Sequence, residues 1–376
     1  ARQHFESLSR LFAHTHFQIA LYTKSYQLLD GEKVSKKTLL SALAAGIPSI
    51  VIGTHALLED KVSFRSLALV VVDEQHRFGV SQRAKLQEES FRSDDGRLES
   101  VPHFLAMTAT PIPRTLSLAC FGNLDISLLN EMPKNRKPII TKIARNHADR
   151  TKIEDFIRQE IKKGRQAFII FPLVETSLAL KDVKAAVAEH ETLEKKIFPD
   201  LRIGLIHGKM KSQEKEAMMK AFQERAFDIL VATSVVEVGI DIPNASVIVI
   251  EEADRFGLSQ LHQFRGRVGR GDHQSYCFLI PGEHASLENA RLEALEKSAD
   301  GFHIAETDLA LRGPGSFFGT RQSGLPDVAM ENLTNLKLIS LARAEAEILL
   351  TSDPSLERHP LLRQSLARFT ARVHME

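Results

Sequence analysis

The sequence predicts an α/β protein with two parallel sheets, helices on both faces of each sheet, and a smaller helical unit at the end. Short β-branched runs alternate with helical patterns over the first three quarters of the 376 residues, which is typical of parallel sheets with crossover helices. Many of these runs are apolar at consecutive positions, as expected for strands covered on both faces. The length, with 43% hydrophobic and 26% charged residues, allows two domains or slightly more.

The predicted strands form two sets. The first set comprises the runs 49–54, 67–73 and 103–110. The second set comprises the runs 166–174, 201–207, 227–234, 247–251 and 275–281. Within the second set, Ser212 is the predicted N-cap of a helix whose apolar stripe of Ala217, Met218, Ala221 and Phe222 is expected to pack in the core.

A linker separates the two sets. The segment 130–145 contains EMPKNRKP, with two prolines and four charges, and this composition indicates an exposed connection. We therefore expect a first domain over 1–135 and a second over 136–283. The pattern then changes to helices around the glycine-rich segment RGPGSFFGTRQSGLP at 312–326, so 284–376 forms a third unit that is too small to be independent.

Overall composition excludes some classes of function. The net charge is only +1, so any contact with nucleic acid has to come from local clusters. Cys120 and Cys277 lack metal-ligand or redox spacing and are expected to be buried free thiols in a cytoplasmic protein. No apolar run approaches the roughly 20 residues of a membrane helix. The chain begins without methionine, so we expect it to be cut from something longer.

The stretch LALVVVDEQHRFG places two carboxylates, Asp73 and Glu74, at the end of an apolar run. Open α/β sheets bind ligands at the carboxyl ends of their strands. Adjacent carboxylates suit hydrolysis of a nucleoside triphosphate, because the first can hold Mg²⁺ through water and the second can orient or deprotonate the attacking water. The alternative is a solvated pair that caps the next helix.

The stretch QFRGRVGRG, at 263–271, has three arginines within six residues and glycines that allow close approach of a ligand. Arginine is suited to a γ-phosphate because its planar, permanent charge neutralises the phosphate oxygens. Arg267 and Arg270 are the candidate pair. The alternative is an exposed basic turn that touches nothing, or that touches nucleic acid without chemistry.

These elements and the segments between them resemble superfamily 2 helicases. DEQHRFGVSQR resembles the DEAH-like motif of that superfamily, MTATPIPRTL at 107–116 its coupling motif, and 233–271 its motifs V and VI. Within the superfamily, GTRQSG in the segment 312–326 resembles the RecG family of DNA branch-migration translocases more than the transcription-repair coupling translocases. The resemblance runs from the first residues to about residue 327.

The resemblance implies two RecA-like helicase domains, the first incomplete, followed by a small helical and loop unit. It implies an ATP-dependent DNA helicase and double-strand translocase that remodels branched DNA, such as replication forks and Holliday junctions, in recombination and repair. ATP and Mg²⁺ are the implied cofactors. Asp73 would bind Mg²⁺ through water, Glu74 would activate water, and Gln75 and His76 would link the nucleotide site to the core.

The resemblance assigns further residues to the nucleotide, to DNA and to their coupling. The nucleotide residues would be Gly239, Asp241, Gln263, Arg267 and Arg270. The residues that contact DNA backbone phosphates would be Gly53, Thr54, His55, His207, Gly208, Thr233 and Ser234. The coupling residues would be Thr108, Thr110, Arg321 and Gln322. For the small residues the alternative is turn geometry or helix capping, and for Arg321 and Gln322 it is a plain structural loop.

A phosphate-binding loop of the form G-x-x-x-x-G-K-[ST] does not occur in the sequence. The Gly208–Lys209 pair is followed by Met210 and falls in the second domain. ARQHF at 1–5 resembles the end of motif Ia, so we expect the phosphate loop, its strand and the N-terminal wedge domain to lie upstream. We therefore expect the chain alone not to hydrolyse ATP, and its first sheet to expose apolar edges near 67–73.

The expected partner is branched or duplex DNA, with no membrane contact, and the intact protein is expected to be a monomer. The resemblance also allows single-strand DNA-binding protein as a partner, and it implies a bacterial, nucleoid-associated, cytoplasmic location. Three alternatives stay open: a transcription-repair coupling translocase, a catalytically inactive DNA-binding fragment, and an RNA helicase, which DEQH and the C-terminal loop fit poorly.

Overall fold

A computed structural model describes residues 1–74, 102–108, 125, 127–129, 131, 136–172, 187–233, 242–282, 289–312 and 336–372. The chain forms two compact units, mainly Ala1–Ala109 and Thr110–Val373. The predicted domain boundaries near residues 135 and 283 stay predictions, because most of 109–135 lies outside the described residues. None of the described helices is both long enough and apolar enough to cross a membrane.

The first unit contains a mixed four-stranded sheet. Its elements are α1 (Arg2–Leu11), β1 (Ile19–Tyr22), β2 (Gln27–Leu29), β3 (Glu32–Lys33), α2 (Lys36–Ala45), β4 (Ile50–Gly53) and a 3₁₀ turn (His55–Leu58). The strand order is β3-β2-β1-β4, with β1 and β4 parallel and β2 antiparallel to its neighbours. Ser35 caps α2 by accepting from the Thr38 amide, and Gly46 ends it in the left-handed conformation. The helix thereby presents Leu39 and Leu43 to the sheet.

The strands β5 (Leu69–Val72) and β6 (His103–Ala106) form a separate parallel pair in the first unit. The prediction that 67–73 is covered on both faces is wrong for the described residues. The side chains of Leu69, Val71 and Leu105 are about half exposed, whereas Val72 is buried. Since side chains alternate across a strand, one face of this pair leaves apolar groups in contact with water, in the region where apolar exposure was expected.

The second unit contains a six-stranded, fully parallel sheet. Its elements are β7 (Ile140–Ile143), α3 (His147–Lys162), β8 (Gln166–Phe171), β9 (Ile203–Ile206), α4 (Ser212–Gln223), β10 (Ile229–Thr233), β11 (Ala245–Ile250), α5 (Leu258–Arg265) and β12 (Tyr276–Leu279). A π-helical turn (Leu193–Ile197) precedes β9, and a 3₁₀ turn (Ala253–Arg255) precedes α5. The strand order is β7-β12-β11-β8-β10-β9. This parallel sheet with crossover helices confirms the predicted fold class.

Both faces of the six-stranded sheet are buried, which explains the consecutive apolar positions in the sequence. Along β8, Phe168 and Ile170 face one core, which includes Phe222 of α4 and Phe264 of α5. The alternate residues of β8, Ala167 and Ile169, face a second core, which includes Ile153 and Ile157 of α3. The predicted stripe on α4 packs in the core only in part: Phe222 is completely buried and Met218 packs against it, whereas Ala217 is exposed.

Among the described residues after 282, four helices follow: α6 (Ala290–Lys297), α7 (Gly301–Arg312), α8 (Leu336–Ser352) and α9 (Pro360–Arg372). Leu292, Leu295 and Ile304 of α6 and α7 belong to the same core as β11 and α5, so these two helices are not an independent unit. Glu296 of α6 accepts from the Ile143 amide at 3.1 Å. It thereby binds the strand β7, which lies at the sheet edge.

Two local predictions are wrong. The segment 130–145 is not simply a linker, because Ile140–Ile143 forms β7 and pairs with β12. The prolines and charges before residue 139 dominate the composition and conceal the short strand. Ser212 is the first helical residue of α4 rather than its N-cap, which is Lys211. The Lys211 amide donates to the Glu214 carboxylate at 2.9 Å, so the acidic side chain satisfies the helix start.

Candidate nucleotide and nucleic-acid interface

Asp73 and Glu74 directly follow β5, at its carboxyl end, as predicted. The Asp73 side chain is half exposed, and His4 of α1 places its Nε2 atom 3.5 Å from Asp73 Oδ2. Glu74 has a φ of 53°, a left-handed conformation that costs a non-glycine residue about 1 kcal/mol or more. The chain therefore turns sharply where the two carboxylates are presented.

These carboxylates fit Mg²⁺ held with water and phosphate oxygens, which is its usual coordination at nucleotide sites. Within the described parts of the chain, no group of three or more histidine, cysteine or acidic side chains forms a closed metal site. The donor set is thus an accessible carboxylate with a second beside it. It can hold a hydrated hard cation, but it does not form a cage for a resident structural metal.

In the first sheet, the predicted DNA residues Gly53, Thr54 and His55 lie together at the carboxyl end of β4. A Cβ atom on Gly53 would lie 2.6 Å from the Tyr22 carbonyl oxygen and 2.5 Å from Leu57, so this position requires glycine. Thr54 and His55 are exposed at the start of a 3₁₀ turn. Their backbone and side-chain groups are accessible to a phosphate.

The turn after β1 lies beside these residues, because Tyr22 pairs with Gly53 in parallel register. Thr23 holds the turn closed: its Oγ1 accepts from the Tyr26 amide at 2.9 Å, and its own amide donates to the Tyr26 carbonyl at 2.8 Å. Lys24 is exposed at the tip. The sequence predictions missed β1 and therefore missed that a lysine lies beside 53–55.

In the second sheet, Thr233 ends β10 and His207 directly follows the neighbouring strand β9, so the two lie at adjacent positions, because Ala232 pairs with Ile206. Thr233 is 1% exposed. Among the described residues, no group hydrogen-bonds the buried Oγ1 of Thr233 or the buried Nδ1 of His207. Buried polar atoms are rarely left unpaired in proteins, so these two atoms mark a position at the carboxyl ends of the strands where a polar partner is expected.

The next residues add basic groups at the same edge. Gly208 accepts from the Lys215 ammonium through its carbonyl oxygen at 2.8 Å, and Lys209 and Lys211 are exposed. The local positive charge that the net charge of +1 does not reveal is therefore present here.

Gln263, Arg267 and Arg270 lie on α5 and on the turn that follows it, so the structure brings these three predicted residues together. The turn lies near the amino ends of the strands, whereas Thr233 and His207 lie at the carboxyl ends. A Cβ atom on Gly271 would lie 2.5 Å from the carbonyl oxygen of Pro243, which precedes β11, and one on Gly269 would lie 2.9 Å from Ile139, which precedes β7. The arginines are therefore separated from Thr233 and His207 by the length of the strands.

Arg265 is a buried polar residue that the sequence predictions missed. It is 4% exposed, and its guanidinium donates to the carbonyls of Leu295, Ser298 and Ala299 at 2.9, 2.7 and 3.3 Å. Its Nη2 also lies 3.0 Å from Nδ1 of His262. Burial, with a smaller effect of Arg265, lowers the pKa of His262 to about 4, so the imidazole is neutral and accepts.

Glu251 is another buried charged residue that the predictions missed. It follows β11 and accepts from Arg150 of α3 at 2.8 Å. Burial raises its pKa to about 7, against the opposing effect of Arg150. A cavity of about 20 Å³, sufficient for about one water molecule, adjoins the pair and is otherwise lined mainly by apolar side chains such as Ile169, Leu193 and Val249.

Other predicted residues have different outcomes. Thr108 is described and exposed just after β6. Cys277 is a buried free thiol, as predicted, and burial raises its pKa to about 12. The remaining predicted residues lie outside the described part of the chain: Gln75, His76, Thr110, Cys120, Ser234, Gly239, Asp241, Arg321 and Gln322.

Three family models match the chain. Residues 1–118 match the DEAD/DEAH box helicase family, and residues 150–272 match the helicase conserved C-terminal domain. Residues 298–368 match domain 3, C-terminal, of the ATP-dependent DNA helicase RecG. The first two models are general to helicases, and the third is specific to RecG.

Curated relatives agree with the third model. The ATP-dependent DNA helicase RecG of Synechocystis sp. is 48% identical over 370 residues, which is 98% of this chain and 42% of the relative. The protein of the same name from Staphylococcus aureus is 46% identical over 353 residues, which is 94% of this chain and 49% of the relative. The chain therefore spans about half the length of these relatives.

Solved structures support the fold. A RecG structure bound to a three-way DNA junction has a TM-score of 0.66 and 38% identity, over 90% of this chain and 42% of that one. Dbp5 of S. cerevisiae, bound to RNA and ADP BeF3, has a TM-score of 0.52 at 16% identity, over 90% of this chain and 78% of that one, and shows the helicase fold alone. Over nearly its whole length, this chain is similar to ATP-dependent DNA helicases of the RecG family.

Proposed function

We propose that this chain is the motor portion of an ATP-dependent DNA helicase of RecG type, which translocates on duplex DNA and remodels forks and Holliday junctions in recombination and repair. The observation that carries the proposal is identity of 46–48% that extends over nearly the whole chain, together with the RecG-specific match at 298–368. The two general helicase models alone would fit a transcription-repair translocase or an RNA helicase equally well.

For ATP hydrolysis, Asp73 is the proposed Mg²⁺ ligand, through water, and Glu74 orients and deprotonates the attacking water. Mg²⁺, when bound, neutralises charge on the phosphate oxygens. Gln263, Arg267 and Arg270 are the proposed nucleotide-contacting side chains of the second unit. Their position on one helix and its following turn supports a shared role. Gln75, His76, Gly239 and Asp241 complete this set by resemblance.

For DNA, each unit contributes one sheet edge. In the second unit, Thr233, His207 and Gly208 bind backbone phosphates, and the exposed Lys209 and Lys211 beside them support this assignment. In the first unit, 53–55 bind in the same way. Hydroxyl, amide and lysine contacts to phosphate position DNA without reading its sequence, as expected for a protein that acts on DNA by shape. Binding should therefore weaken steeply with salt.

Coupling residues and assembly state follow from the resemblance. Thr108 and Thr110 relay between ATP and DNA, and Arg321 and Gln322 convert ATP-driven motion into DNA movement. The intact protein acts as a monomer. Single-strand DNA-binding protein is a further proposed partner.

A second candidate function is a DNA-binding fragment without ATPase activity. The observation in its favour is that none of the 376 residues forms a G-x-x-x-x-G-K-[ST] loop, whose amides and lysine normally surround the β- and γ-phosphates. We propose that both functions apply: the chain by itself binds DNA and does not hydrolyse ATP.

The test compares Mg-ATP hydrolysis by this chain with that of an extended protein, with and without branched DNA. The extended protein carries, before Ala1, the corresponding N-terminal portion of the Synechocystis relative. We expect DNA-stimulated turnover in the extended protein alone, and salt-sensitive DNA binding by both. Turnover by the unextended chain would show that another loop holds the phosphates, and an inactive extended protein would contradict the motor function.

A further inference from the structure

Arg265 fastens α5 to the junction between α6 and α7. Its Nη1 donates to the carbonyls of Leu295 and Ser298, and its Nη2 donates to that of Ala299. These carbonyls lie at the C-terminal end of α6, where the last C=O groups of a helix lack partners within it. A cation is also favoured there by the helix dipole. One side chain therefore satisfies the end of a helix that begins 25 residues later in the sequence.

The guanidinium is fixed on its other sides as well. The neutral imidazole of His262 accepts from Nη2. In the described part of the chain, no carboxylate pairs with Arg265. Burying a charge without a counter-charge is costly unless hydrogen bonds replace water, so the three carbonyls are needed to keep this arginine inside.

The same residue begins the turn that carries the candidate nucleotide arginines. Gly266 ends α5, and Arg267 follows with its amide bonded to the Phe264 carbonyl at 2.9 Å. On the other side, Ala299 is followed within two residues by α7, which leads to the segment 312–326. Arg265 is thus the direct polar connection between the arginine turn and the start of the RecG-specific segment.

We infer that Arg265 is a positioning residue that locks the arginine turn 266–271 to the α6–α7 junction, so that the two shift together during the ATP cycle. The inference rests on the proposed function, because it assigns to Arg265 the transmission of ATP-site movement to the C-terminal helices. Arg265 is buried, so it acts through the residues it holds and not by contact with nucleotide or DNA. A planar guanidinium fork suits this role, since it fixes three carbonyls at once, whereas an ammonium acts as a point charge.

The test uses Arg265→Lys, which keeps the charge and removes the fork, and Arg255→Lys as its control. Arg255 pairs with Glu252 near the surface of the same connection. In the unextended chain, we expect Arg265→Lys to speed amide hydrogen exchange in 298–312 by about tenfold or more, because buried hydrogen bonds to a charged group are lost. Exchange in β10 should not change, and Arg255→Lys should leave both regions unchanged.

In the extended protein, we expect Arg265→Lys to retain ATP turnover within about twofold and to lower the rate of fork unwinding by about tenfold or more, so that more ATP is consumed per base pair unwound. A merely structural role would lower both rates together or neither, and either result would overturn the inference, as would unchanged exchange in 298–312. An unsubstituted extended protein without turnover would instead contradict the proposed function, and with it the coupling role of Arg265. The exchange measurement would then still decide whether Arg265 holds the junction.

Discussion

Glu251 should make the second unit less stable as the pH rises from 4.5 to 7. Burial raises the pKa of its carboxyl from the ordinary 4.5 to about 7, with Arg150 opposing the shift. The folded state therefore binds the proton more tightly than the unfolded state, and the resulting stability is present at low pH and lost as the pH rises through 7. At about 1.36 kcal/mol per pKa unit, the loss is about 3 kcal/mol over the whole window. Between pH 5.5 and 8 it is about 2 kcal/mol.

The assay is urea unfolding of the chain at half-unit steps from pH 5.5 to 8, with Glu251→Gln measured beside the unsubstituted protein. Glutamine cannot ionise, so the stability difference between the two proteins should fall by about 2 kcal/mol across this range. Glu224→Gln is the matched control, because Glu224 is exposed on the surface with only a 3.7 Å contact to Lys220. If the difference in unfolding free energy between Glu251→Gln and the unsubstituted protein stays constant with pH, the raised pKa of Glu251 is refuted.

Two further predictions concern the candidate site and the core. In the extended protein, Glu74→Gln should retain ATP binding and lower kcat by about 100-fold or more, the usual contribution of a general base; retained turnover in steady-state assays would remove Glu74 from that role. Phe222→Ala should lower the free energy of unfolding by about 3–5 kcal/mol, because the ring is completely buried and lies 5.2 Å from that of Phe168. Urea unfolding measures this loss, and a change below 1 kcal/mol would mean that the cavity refills.

The fold was predictable where strands are long, apolar and covered on both faces. The runs that became β8, β10 and β11 have five or six buried residues each, and such runs stand out without any alternation. β1 was missed although IALY is as long as β9 and β12, which were predicted; so short an apolar run does not by itself distinguish strand from helix. β7 was missed because the prolines and charges before residue 139 determined the prediction of an exposed linker, although the four residues of the strand itself lie outside that stretch.

The candidate site was predictable only as local groups. Asp73 and Glu74 are adjacent in the sequence, so their proximity needed no fold. The pairing of Thr233 with His207, 26 positions apart, depends on the strand order β10-β9. The separation of Thr233 from Arg267 depends on the direction of α5, which runs back across the sheet from the carboxyl end of β11 to the amino end of β12. Composition and spacing carry no information on either point.

Three arginines within six residues look equivalent in the sequence, yet one of them is structural. Helical periodicity could have distinguished it: Leu258, Leu261, His262 and Arg265 occupy positions i, i+3, i+4 and i+7, which share one face of a helix. The first two are completely buried. An arginine on that face has to find carbonyls or a carboxylate inside the protein, so it is the least suited of the three to reach a phosphate.

Two of the buried charged residues that the predictions missed, Glu251 and Arg265, lie at opposite ends of one connection. Glu251 precedes α5 and binds Arg150 of α3, whereas Arg265 ends α5 and binds the α6–α7 junction. The eight residues from Leu258 to Arg265 extend about 12 Å as a helix. Because Glu251 bonds within the sheet and its covering helix, its loss should alter stability without altering coupling. Arg265 bonds to the helices that lead into the RecG-specific segment. We therefore expect the coupling of ATP hydrolysis to DNA unwinding to depend on Arg265 and not on Glu251.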